Sequence, residues 1–394
     1  MLRPDVLPAL HAVLDRLDPP VDGWLLFDFR GINPIMAAVV GPEVVGSRRA
    51  YVYVPRGGAP TAVVHAIDAE LWTAWPRAWS KVVWVRREEL SRQLAALVRG
   101  RTVAMEYSPN GDVPYADFVP AGTLELVRAA GATPVSSAEL VSRWCSAWTA
   151  DDLASHERAA AVLADIARAA FAAAGARART AAPLTEHALR GRVLEALDRA
   201  GLVTDSGPSV SYGANAARLH YDPPADGSAE IVPGALLLLD LWAREPGGVY
   251  ADQTWMASIG EPTPRAAELW RVVRGARDAA LALLRERLAA GDPVTGAEAD
   301  RAARAVIAAA GHADHIVART GHSIDRMGLH GLGPTLDDTE SFDSRLIVPG
   351  VAFSVEPGVY IPGEIGVRSE VNAHARPDGL DVTPDEYQRE LIVV

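Results

Sequence analysis

An apolar run that ends in an aspartate sets the strongest local constraint on how this chain folds. The run 235–239 (Ala-Leu-Leu-Leu-Leu) is typical of a buried strand, and Asp240 closes it. Asp252 follows twelve positions later, after a turn at residues 245–248 (Glu-Pro-Gly-Gly). Two antiparallel strands joined by this turn place the two carboxylates side by side. The spacing therefore predicts a hairpin that carries a pair of acids.

Three more residues in the C-terminal half are of the kinds that bind metal ions, namely His322, Glu356 and Glu370. With Asp240 and Asp252 they make four carboxylates and one imidazole, which offer up to eight oxygen donors and one nitrogen donor. That is enough for two divalent cations. Carboxylate-rich sites suit manganese, and the imidazole also allows cobalt, zinc or iron.

The motifs around the last two acids resemble those of the pita-bread metallopeptidases, the family of methionine aminopeptidase, aminopeptidase P and prolidase. Residues 356–358 (Glu-Pro-Gly) match the EPG motif of that family, and residues 367–370 (Val-Arg-Ser-Glu) match its VR-x-E motif. The similarity is greatest to the proline-directed branch, whose members carry a creatinase-like N-terminal domain. It covers roughly residues 155–394 well and the N-terminal part loosely.

Taken singly, each candidate ligand has an ordinary structural interpretation. An Asp at a strand end is usually a turn or cap residue, and a His in a Gly-flanked loop is usually at the surface. All five candidates nevertheless occur in the family order and at nearly the family intervals. The resemblance implies that Asp240 binds one cation and that His322 and Glu356 bind the other. Asp252 and Glu370 are implied to bridge both.

The same resemblance implies roles in catalysis. Two divalent cations lower the pKa of a water molecule enough for hydroxide to form near neutral pH. Glu356 is implied to accept the proton of that water and to pass it to the leaving amine. His220 and His330 match family histidines that contact the scissile carbonyl or the leaving nitrogen and stabilise the oxyanion. Thr254 is either a group that orients a bridging carboxylate or an ordinary strand residue.

Two domains are expected, since 394 residues exceed what one core usually covers. Residues 1–148 alternate strand-like and helix-like segments, which indicates an α/β domain with a parallel or mixed sheet, creatinase-like by the resemblance. Residues 149–394 are expected to form the α+β pita-bread catalytic domain. The first domain has predicted strands at 24–29, 51–54, 81–85 and 102–106 and a helix at 88–99. The second has a capped helix that ends near residue 176 and helices at 185–200, 264–290 and 296–310.

Composition limits the partners and the compartment. A net charge of −12 and a pI near 5.3 argue against nucleic acid and anionic membranes as partners. The first residues lack the pattern of a signal peptide, and no apolar run approaches the ~20 residues that span a bilayer. Cys145 is the only cysteine, so no intrachain disulfide forms. A cytoplasmic protein is expected.

Four departures from the family pattern bear on specificity. The intervals between the two aspartates and between His322 and His330 are each one residue longer than is usual in the family. Ala318 stands where the proline-directed branch has a second His, and Trp255 stands where the family often has Arg. These changes do not alter the candidate metal ligands. Whether the protein cleaves only X-Pro peptides stays open.

The predicted function is that of a dinuclear metallopeptidase that cleaves dipeptides or short peptides, as Xaa-Pro dipeptidases and aminopeptidases do. One alternative is a hydrolase or lyase that acts on a small non-peptide substrate in the same fold. Another is a non-enzymatic interaction module, which requires broken ligands, and the sequence has none. The resemblance also implies a homodimer, in which Trp72 and Trp75 either anchor the partner or fill the core of the N-terminal domain.

Overall fold

The computed structural model describes residues 2–394, which divide after Cys145 into two compact units. The strands of the first unit are β1 (Gly23–Asp28), β2 (Ala50–Pro55), β3 (Thr61–His65), β4 (Ser80–Trp84), β5 (Thr102–Met105) and β6 (Thr133–Ser136). Its helices are α1 (Leu7–Leu14), α2 (Pro34–Val40), α3 (Arg87–Val98), α4 (Ala121–Ala129) and the single turn α5 (Ala138–Leu140). The strands form one sheet in the order β4-β3-β2-β1-β5-β6.

This sheet is mixed, which confirms the predicted α/β architecture. Strand β1 pairs antiparallel with β2 and parallel with β5. The helix α3 has the apolar spacing predicted for it, and Leu90, Leu94 and Val98 are buried against the sheet. Four strands and this helix were predicted within two residues of their observed ends. Strands β3 and β6, and the helices other than α3, were not.

Three neighbouring tryptophans of the first unit belong to its interior. Trp72, Trp75 and Trp79 are all buried. Their rings meet edge to face, with centroids 5.4 Å apart for Trp72 and Trp75 and 5.0 Å apart for Trp75 and Trp79. The indole nitrogen of Trp75 donates a hydrogen bond to the Ser80 carbonyl at 3.1 Å. Of the two interpretations of Trp72 and Trp75, burial favours the core over an anchor for a partner.

The second unit is an α+β structure of three small sheets and four long helices. Its helices are α6 (Ala150–Ala178), α7 (Glu186–Arg199), α8 (Pro264–Ala290) and α9 (Gly296–Ala309). Its strands are β7 (Ser209–Tyr212), β8 (Leu236–Ala243), β9 (Ala251–Ser258), β10 (Ser323–Ile324), β11 (Ala352–Val355), β12 (Gly358–Ile361), β13 (Ile365–Arg368), β14 (Val371–Arg376), β15 (Gly379–Thr383) and β16 (Ile392–Val393). The sheets have the orders β16-β9-β8-β7, β10-β11-β14-β15 and β12-β13.

The alternation of side chains along β8 directs its residues into two different cores. Leu237, Leu239 and Leu241 belong to the core that includes α6 and α7. Leu236 and Leu238 belong to the core that includes α8, α9 and β11. Asp240 has the same parity as this second set, so it faces the side of the sheet on which β11 and β14 lie.

Helix α6 begins with the capping box that the sequence predicts. The Asp152 carboxylate accepts from the Thr149 backbone N–H at 2.8 Å, and Thr149 Oγ1 accepts from the Asp152 N–H at 3.3 Å. By length and composition alone α6 could cross a membrane, which the sequence expectation overlooked. Half of its most apolar stretch is buried, and Leu163 and Phe171 pack into the core of the unit. A buried core helix explains this composition.

Candidate metal centre

The hairpin of β8 and β9 carries two of the predicted acids on one face. Asp240 lies opposite Thr254, and Asp252 lies two positions before Thr254 on β9. The two aspartates are therefore diagonal neighbours rather than directly opposite each other. Because side chains alternate along a strand, Asp240, Asp252 and Thr254 all point to the same face of the sheet.

The other three candidates, His322, Glu356 and Glu370, lie together at one end of the β10-β11-β14-β15 sheet. The β11–β14 ladder ends at the pair Val355 and Val371. Glu356 and Glu370 are the next residues beyond this pair on the two strands. His322 directly precedes β10, which pairs with β11 on its other side. Strand register therefore brings a histidine and two glutamates to one edge.

Ser354 holds His322 and Glu356 in place. The His322 backbone N–H donates to Ser354 Oγ at 2.9 Å, and the Ser354 N–H donates to the His322 carbonyl at 2.8 Å. The Ser354 hydroxyl also donates to Glu356 Oε1 at 3.0 Å. A Cβ at Gly321 would lie 2.0 Å from the Ser354 carbonyl oxygen, so only glycine allows the two chains to approach this closely.

Three of the five candidates form a tight cluster. Ligand atoms of Asp252, His322 and Glu370 all lie within 4.8 Å of one another, and the three residues are buried. His322 Nε2 lies 3.3 Å from Asp252 Oδ2 and 3.4 Å from Glu356 Oε1. Asp240 lies beside this cluster and forms an ion pair with Arg368. All five candidates line a single cavity of about 690 Å³.

Two buried oxygens of the cluster support a fit to cations. Asp252 Oδ1 and Glu370 Oε1 are buried and have no hydrogen-bond partner among residues 2–394. An unsatisfied buried polar atom is costly, and a cation bound to these oxygens would remove that cost. Carboxylate oxygens with one imidazole nitrogen are the donors that manganese and related divalent ions use. The residues present therefore fit divalent cations.

The electrostatics of the cluster point the same way. Burial raises the pKa of Asp240 to about 6, with the charges of Asp252 and Glu356 acting in the same direction and Arg368 opposing them. Burial and the neighbouring acids raise the pKa of Glu370 well above its usual range. Burial alone would lower the pKa of His322, but its hydrogen bond to Asp252 and the nearby negative charges raise it. Burial is the largest cause of the two raised carboxyl pKa values, and the negative charges of the neighbouring acids add to it.

Arg368 and Thr254 connect the two halves of the centre. Arg368 Nε donates to Thr254 Oγ1 at 2.8 Å, and Arg368 Nη1 lies 3.7 Å from Glu356 Oε2. Thr254 Oγ1 lies 2.7 Å from Glu370 Oε2 and 3.3 Å from Asp240 Oδ1. Thr254 thus contacts carboxylates of the centre, as one of its two predicted interpretations requires. Sequence reasoning gave Arg368 no role, although its place in the VR-x-E motif was a signal.

The two predicted histidines outside the ligand set also line the cavity. The His330 ring meets that of His322 edge to face, with centroids 4.3 Å apart. Burial, together with the charges of His322 and Arg319, lowers the pKa of His330 to about 4. His220 is exposed and forms part of the cavity wall beside Tyr221. The structure therefore brings both histidines to the cavity that holds the acids.

The two substituted positions differ in what they can affect. Ala318 lines the cavity, so the missing imidazole leaves space there. Trp255 is buried in the opposite core, where its indole nitrogen donates to Gln253 Oε1 at 2.9 Å and Arg168 stacks on its ring. The expectation that Trp255 bears on specificity was therefore wrong, because the pleat of β9 turns it away from the cavity.

The outer wall of the cavity is polar and charged. Arg190 Nε lies 3.4 Å from the Asp222 carboxylate, and the Trp242 indole donates to Asp205 Oδ1 at 2.7 Å. Glu340 also lines the wall. None of these residues was singled out from sequence, because they come from a helix, a strand and loops that are distant in the chain.

Residues 156–375 match the model of Metallopeptidase family M24. The probable dipeptidase PepE of Mycobacterium tuberculosis is 34% identical over 168 residues, which are 42% of this chain and 41% of that protein. The Xaa-Pro dipeptidase of Lactobacillus delbrueckii subsp. lactis is 34% identical over 172 residues, 43% of this chain and 42% of that protein. The matched region spans less than half the length of either relative.

Two solved structures extend the similarity of fold to nearly the whole chain. The dipeptidase PepE from Mycobacterium ulcerans has a TM-score of 0.70 and 23% identity, and the match covers 99% of this chain and 97% of that one. The Xaa-Pro dipeptidase from Bacillus anthracis has a TM-score of 0.62 and 20% identity, with 99% of each chain covered. At these identities the similarity concerns the fold.

The chain thus has the pita-bread fold, with an acid-lined cavity in its second unit. The chain belongs to Metallopeptidase family M24, since the family match covers more than half of its 394 residues. The resemblance inferred from the EPG and VR-x-E motifs is confirmed.

Proposed function

We propose that this protein hydrolyses dipeptides or short peptides at a centre of two divalent metal ions. The ligands in this proposal are Asp240, Asp252, His322, Glu356 and Glu370. The observation that supports it most is their convergence on one cavity, where two buried carboxylate oxygens have no hydrogen-bond partner. The names of the relatives, dipeptidase and Xaa-Pro dipeptidase, agree with this activity.

Manganese is the proposed ion, with cobalt, zinc or iron as possible substitutes, because four of the five ligands are carboxylates. When bound, the two ions would polarise the scissile carbonyl and lower the pKa of the nucleophilic water. Asp240 would hold one ion, and His322 and Glu356 the other. Asp252 and Glu370 would contact both.

Glu356 is the proposed proton carrier. Its Oε1 accepts from the Ser354 hydroxyl, and its Oε2 faces Arg368, so the carboxylate is held at both oxygens while it still lines the cavity. It accepts the proton of the attacking water and delivers it to the leaving amine. Arg368 pairs with Asp240 and opposes the rise in the pKa of Asp240 that burial causes.

His220 and His330 are the proposed donors to the substrate. They lie on different loops of the cavity wall, so they can reach a bound peptide from different sides. An N–H of each imidazole donates to the carbonyl oxygen as negative charge develops on it.

A cavity of about 690 Å³ suits a ligand of dipeptide or tripeptide size. Ala318 lines this cavity, and the space beside it favours a preference that is broader than X-Pro. We therefore propose comparable activity toward dipeptides with and without proline in the second position.

We further infer that residues 1–148 are a creatinase-like domain, that residues 149–394 are the catalytic domain, and that the protein is a cytoplasmic homodimer. The single cysteine supports a reducing compartment. Exposed apolar side chains on and near the edge strand β4, such as Ile67, Val83 and Val85, support association through the first unit. Light scattering at micromolar concentration tests the dimer, and a mass of only 41.9 kDa would exclude it.

A chelation experiment tests the activity. The protein is stripped of metal with a chelator, and hydrolysis of a panel of dipeptides is followed before and after addition of Mn²⁺. We expect hydrolysis to be lost on stripping and restored by Mn²⁺. Full activity of the exhaustively stripped protein would contradict the proposal, and so would the absence of hydrolysis in protein shown to contain bound metal.

A further inference from the structure

The loop that carries His330 is closed on itself by backbone hydrogen bonds. It begins at the end of β10, and Asp325 and Gly328 form an antiparallel bridge within it. The Gly331 N–H, one residue after His330, donates to the Ser323 carbonyl at 2.7 Å. This is the loop in which the interval from His322 to His330 is one residue longer than is usual in the family.

A single buried carboxylate joins the two ends of this loop. Asp325 is fully buried. Its Oδ1 accepts from the Met327 N–H at 2.8 Å, and its Oδ2 accepts from the Leu332 N–H at 2.7 Å. The Ser146 hydroxyl donates to the same Oδ2 at 2.7 Å. Asp325 therefore holds residues on both sides of His330 and ties them to the start of the second unit.

The Asp325 carboxylate is packed tightly against Gly331, at the far end of the loop. A Cβ at Gly331 would lie 2.5 Å from Asp325 Cγ. The end of the loop is also held by Arg345, whose Nη1 donates to the Leu332 carbonyl at 2.6 Å. His330 lies between Gly328, which is bonded to Asp325, and Gly331, which is bonded to Ser323, so its position follows from how this loop is held.

Further contacts fasten the first half of the loop to residues 148–152. The Trp148 indole donates to the Ile324 carbonyl at 2.9 Å. Arg326 forms an ion pair with Asp152, and its Nη2 donates to Thr149 Oγ1 at 3.1 Å. Trp148 and Asp152 are also buried, but they hold only the first half of the loop, whereas Asp325 is bonded to both of its ends.

We propose that Asp325 is a positioning residue, which sets the loop so that the His330 ring stands against His322 and faces the cavity. It does not touch the substrate and acts through His330. The effect on turnover rests on the proposed function, because it requires His330 to act on a bound peptide. The effect on the position of the His330 ring is independent of the proposed function.

The place of the ring is tested by NMR on full-length protein with ¹³C-labelled histidine. Spectra are recorded with Zn²⁺, which is diamagnetic, and after chelation, and His330→Ala assigns the resonance. We expect Asp325→Asn to move the His330 resonance toward that of a solvent-exposed histidine and Ser146→Ala to move it less in the same direction. Glu186→Gln is the matched control, since it alters a buried carboxylate at the start of α7 and should leave this resonance in place.

An unchanged His330 resonance in folded Asp325→Asn would overturn the proposal. So would an equal displacement in Glu186→Gln, because the effect would then reflect general loosening. If Asp325→Asn does not fold, Ser146→Ala decides by the same criterion, since it removes one donor to the carboxylate and leaves the carboxylate in place. The NMR experiment needs no substrate, so its result does not depend on whether the protein is a peptidase.

Turnover is tested with a double-mutant cycle of Asp325→Ala and His330→Ala. A misplacement of about 1 Å can cost up to ~10²-fold in rate, so Asp325→Ala should lower kcat by roughly 10- to 100-fold with a smaller change in KM. In the His330→Ala background it should lower kcat by less than about twofold, because the group through which it acts is gone. An equal loss in both backgrounds would show that Asp325 does not act through His330. Wild-type protein without dipeptide hydrolysis would instead contradict the proposed function.

Discussion

The acids of the centre and the histidines that face them are positioned by different means. Glu356 and Glu370 continue a paired ladder, and the two aspartates lie on one hairpin, so strand register fixes all four. His220 and His330 lie on loops, where no ladder determines the direction of a side chain. The difference shows that one centre combines positions set by backbone pairing with positions set by individual side chains.

Each of the two loops is organised by one buried carboxylate. Asp325 does this for the loop of His330. Glu186, also fully buried, does it for the segment that carries His220. Glu186 accepts from the Tyr212 N–H at 2.6 Å, the Tyr221 hydroxyl at 2.7 Å and the Ala229 N–H at 3.2 Å. These contacts bracket His220 in the sequence.

The largest effect is expected for a substitution among the acids that strand register positions. Glu356→Gln keeps the shape of the side chain but removes the proton acceptor and weakens a metal bond. We expect kcat to fall by ~10²–10⁴-fold. Steady-state kinetics and metal analysis of the purified variant check this. His330→Ala is the control, since it should slow turnover and keep the full metal content. Equal loss of metal from both variants would make His330 a ligand and erase the distinction between the two groups.

A smaller effect is expected when the His220 segment loses its organising carboxylate. Glu186→Ala leaves buried donors without an acceptor, and each such group costs about 1–3 kcal/mol. We expect the free energy of unfolding to fall by roughly 3 kcal/mol or more and limited proteolysis to cut within residues 213–228 first. Urea denaturation and mapping of the fragments check this. Uniform cleavage over the whole unit would show that Glu186 supports the fold and not this segment in particular.

Glu106 in the first unit is a third buried carboxylate, with which Asp325 and Glu186 can be compared. Burial raises the pKa of Glu106 to about 7, against hydrogen bonds from Trp24, Asn33 and Ser137 that lower it. Since the folded-state pKa is raised, the associated stability is present below the ordinary glutamate pKa of 4.5 and is lost as the pH rises through about 7. Glu106→Gln should therefore gain stability relative to wild type between those values, by about 2–3 kcal/mol.

Denaturation of both forms at several pH values measures this difference. A constant difference between wild type and Glu106→Gln from pH 4 to pH 8 would contradict the titration of Glu106. In either case the kinetics of peptide hydrolysis should be unchanged, because Glu106 lies in the other unit from the cavity.

The smallest effect concerns selectivity at the wall of the cavity. Ala318→His supplies an imidazole at a position that lines the cavity. A hydrogen bond to a charged group is worth about 1.5–3 kcal/mol, so the ratio of kcat/KM for X-Pro over X-Ala dipeptides should rise by about tenfold to hundredfold. Matched dipeptides assayed with both forms check this. A wild-type enzyme that already favours X-Pro by orders of magnitude would show that other residues replace the missing histidine.

Local patterns predicted much of the second unit and part of its centre. The long helices and the β8–β9 hairpin follow from apolar periodicity, capping and turn residues, all of which are local in sequence. The diagonal placement of Asp240 and Asp252 depends on register, and the contacts of Arg368 depend on the pairing of distant strands. Neither is encoded locally. Trp255 was misjudged because its position in the motif does not give the face of β9 to which it points.

The loops were the least predictable part. An Asp in a turn ordinarily bonds to nearby backbone groups, so Asp325 gave no signal of its own in the sequence. Its role depends on Ser146, which is 179 residues away in the chain. Glu186 likewise precedes the segment it organises by 26 to 43 residues. Buried carboxylates that connect distant segments are recognised only when the fold is known.

Direct determination of metal stoichiometry tests the central claim, which is that strand-borne acids and His322 together hold two divalent cations. The protein is stripped, titrated with Mn²⁺ by calorimetry and analysed for metal content, in parallel with Asp252→Asn and the loop variant His330→Ala. We predict two ions per chain in wild type and in His330→Ala, and fewer than two in Asp252→Asn. Fewer than two ions in wild type, or two ions in Asp252→Asn, would contradict the account.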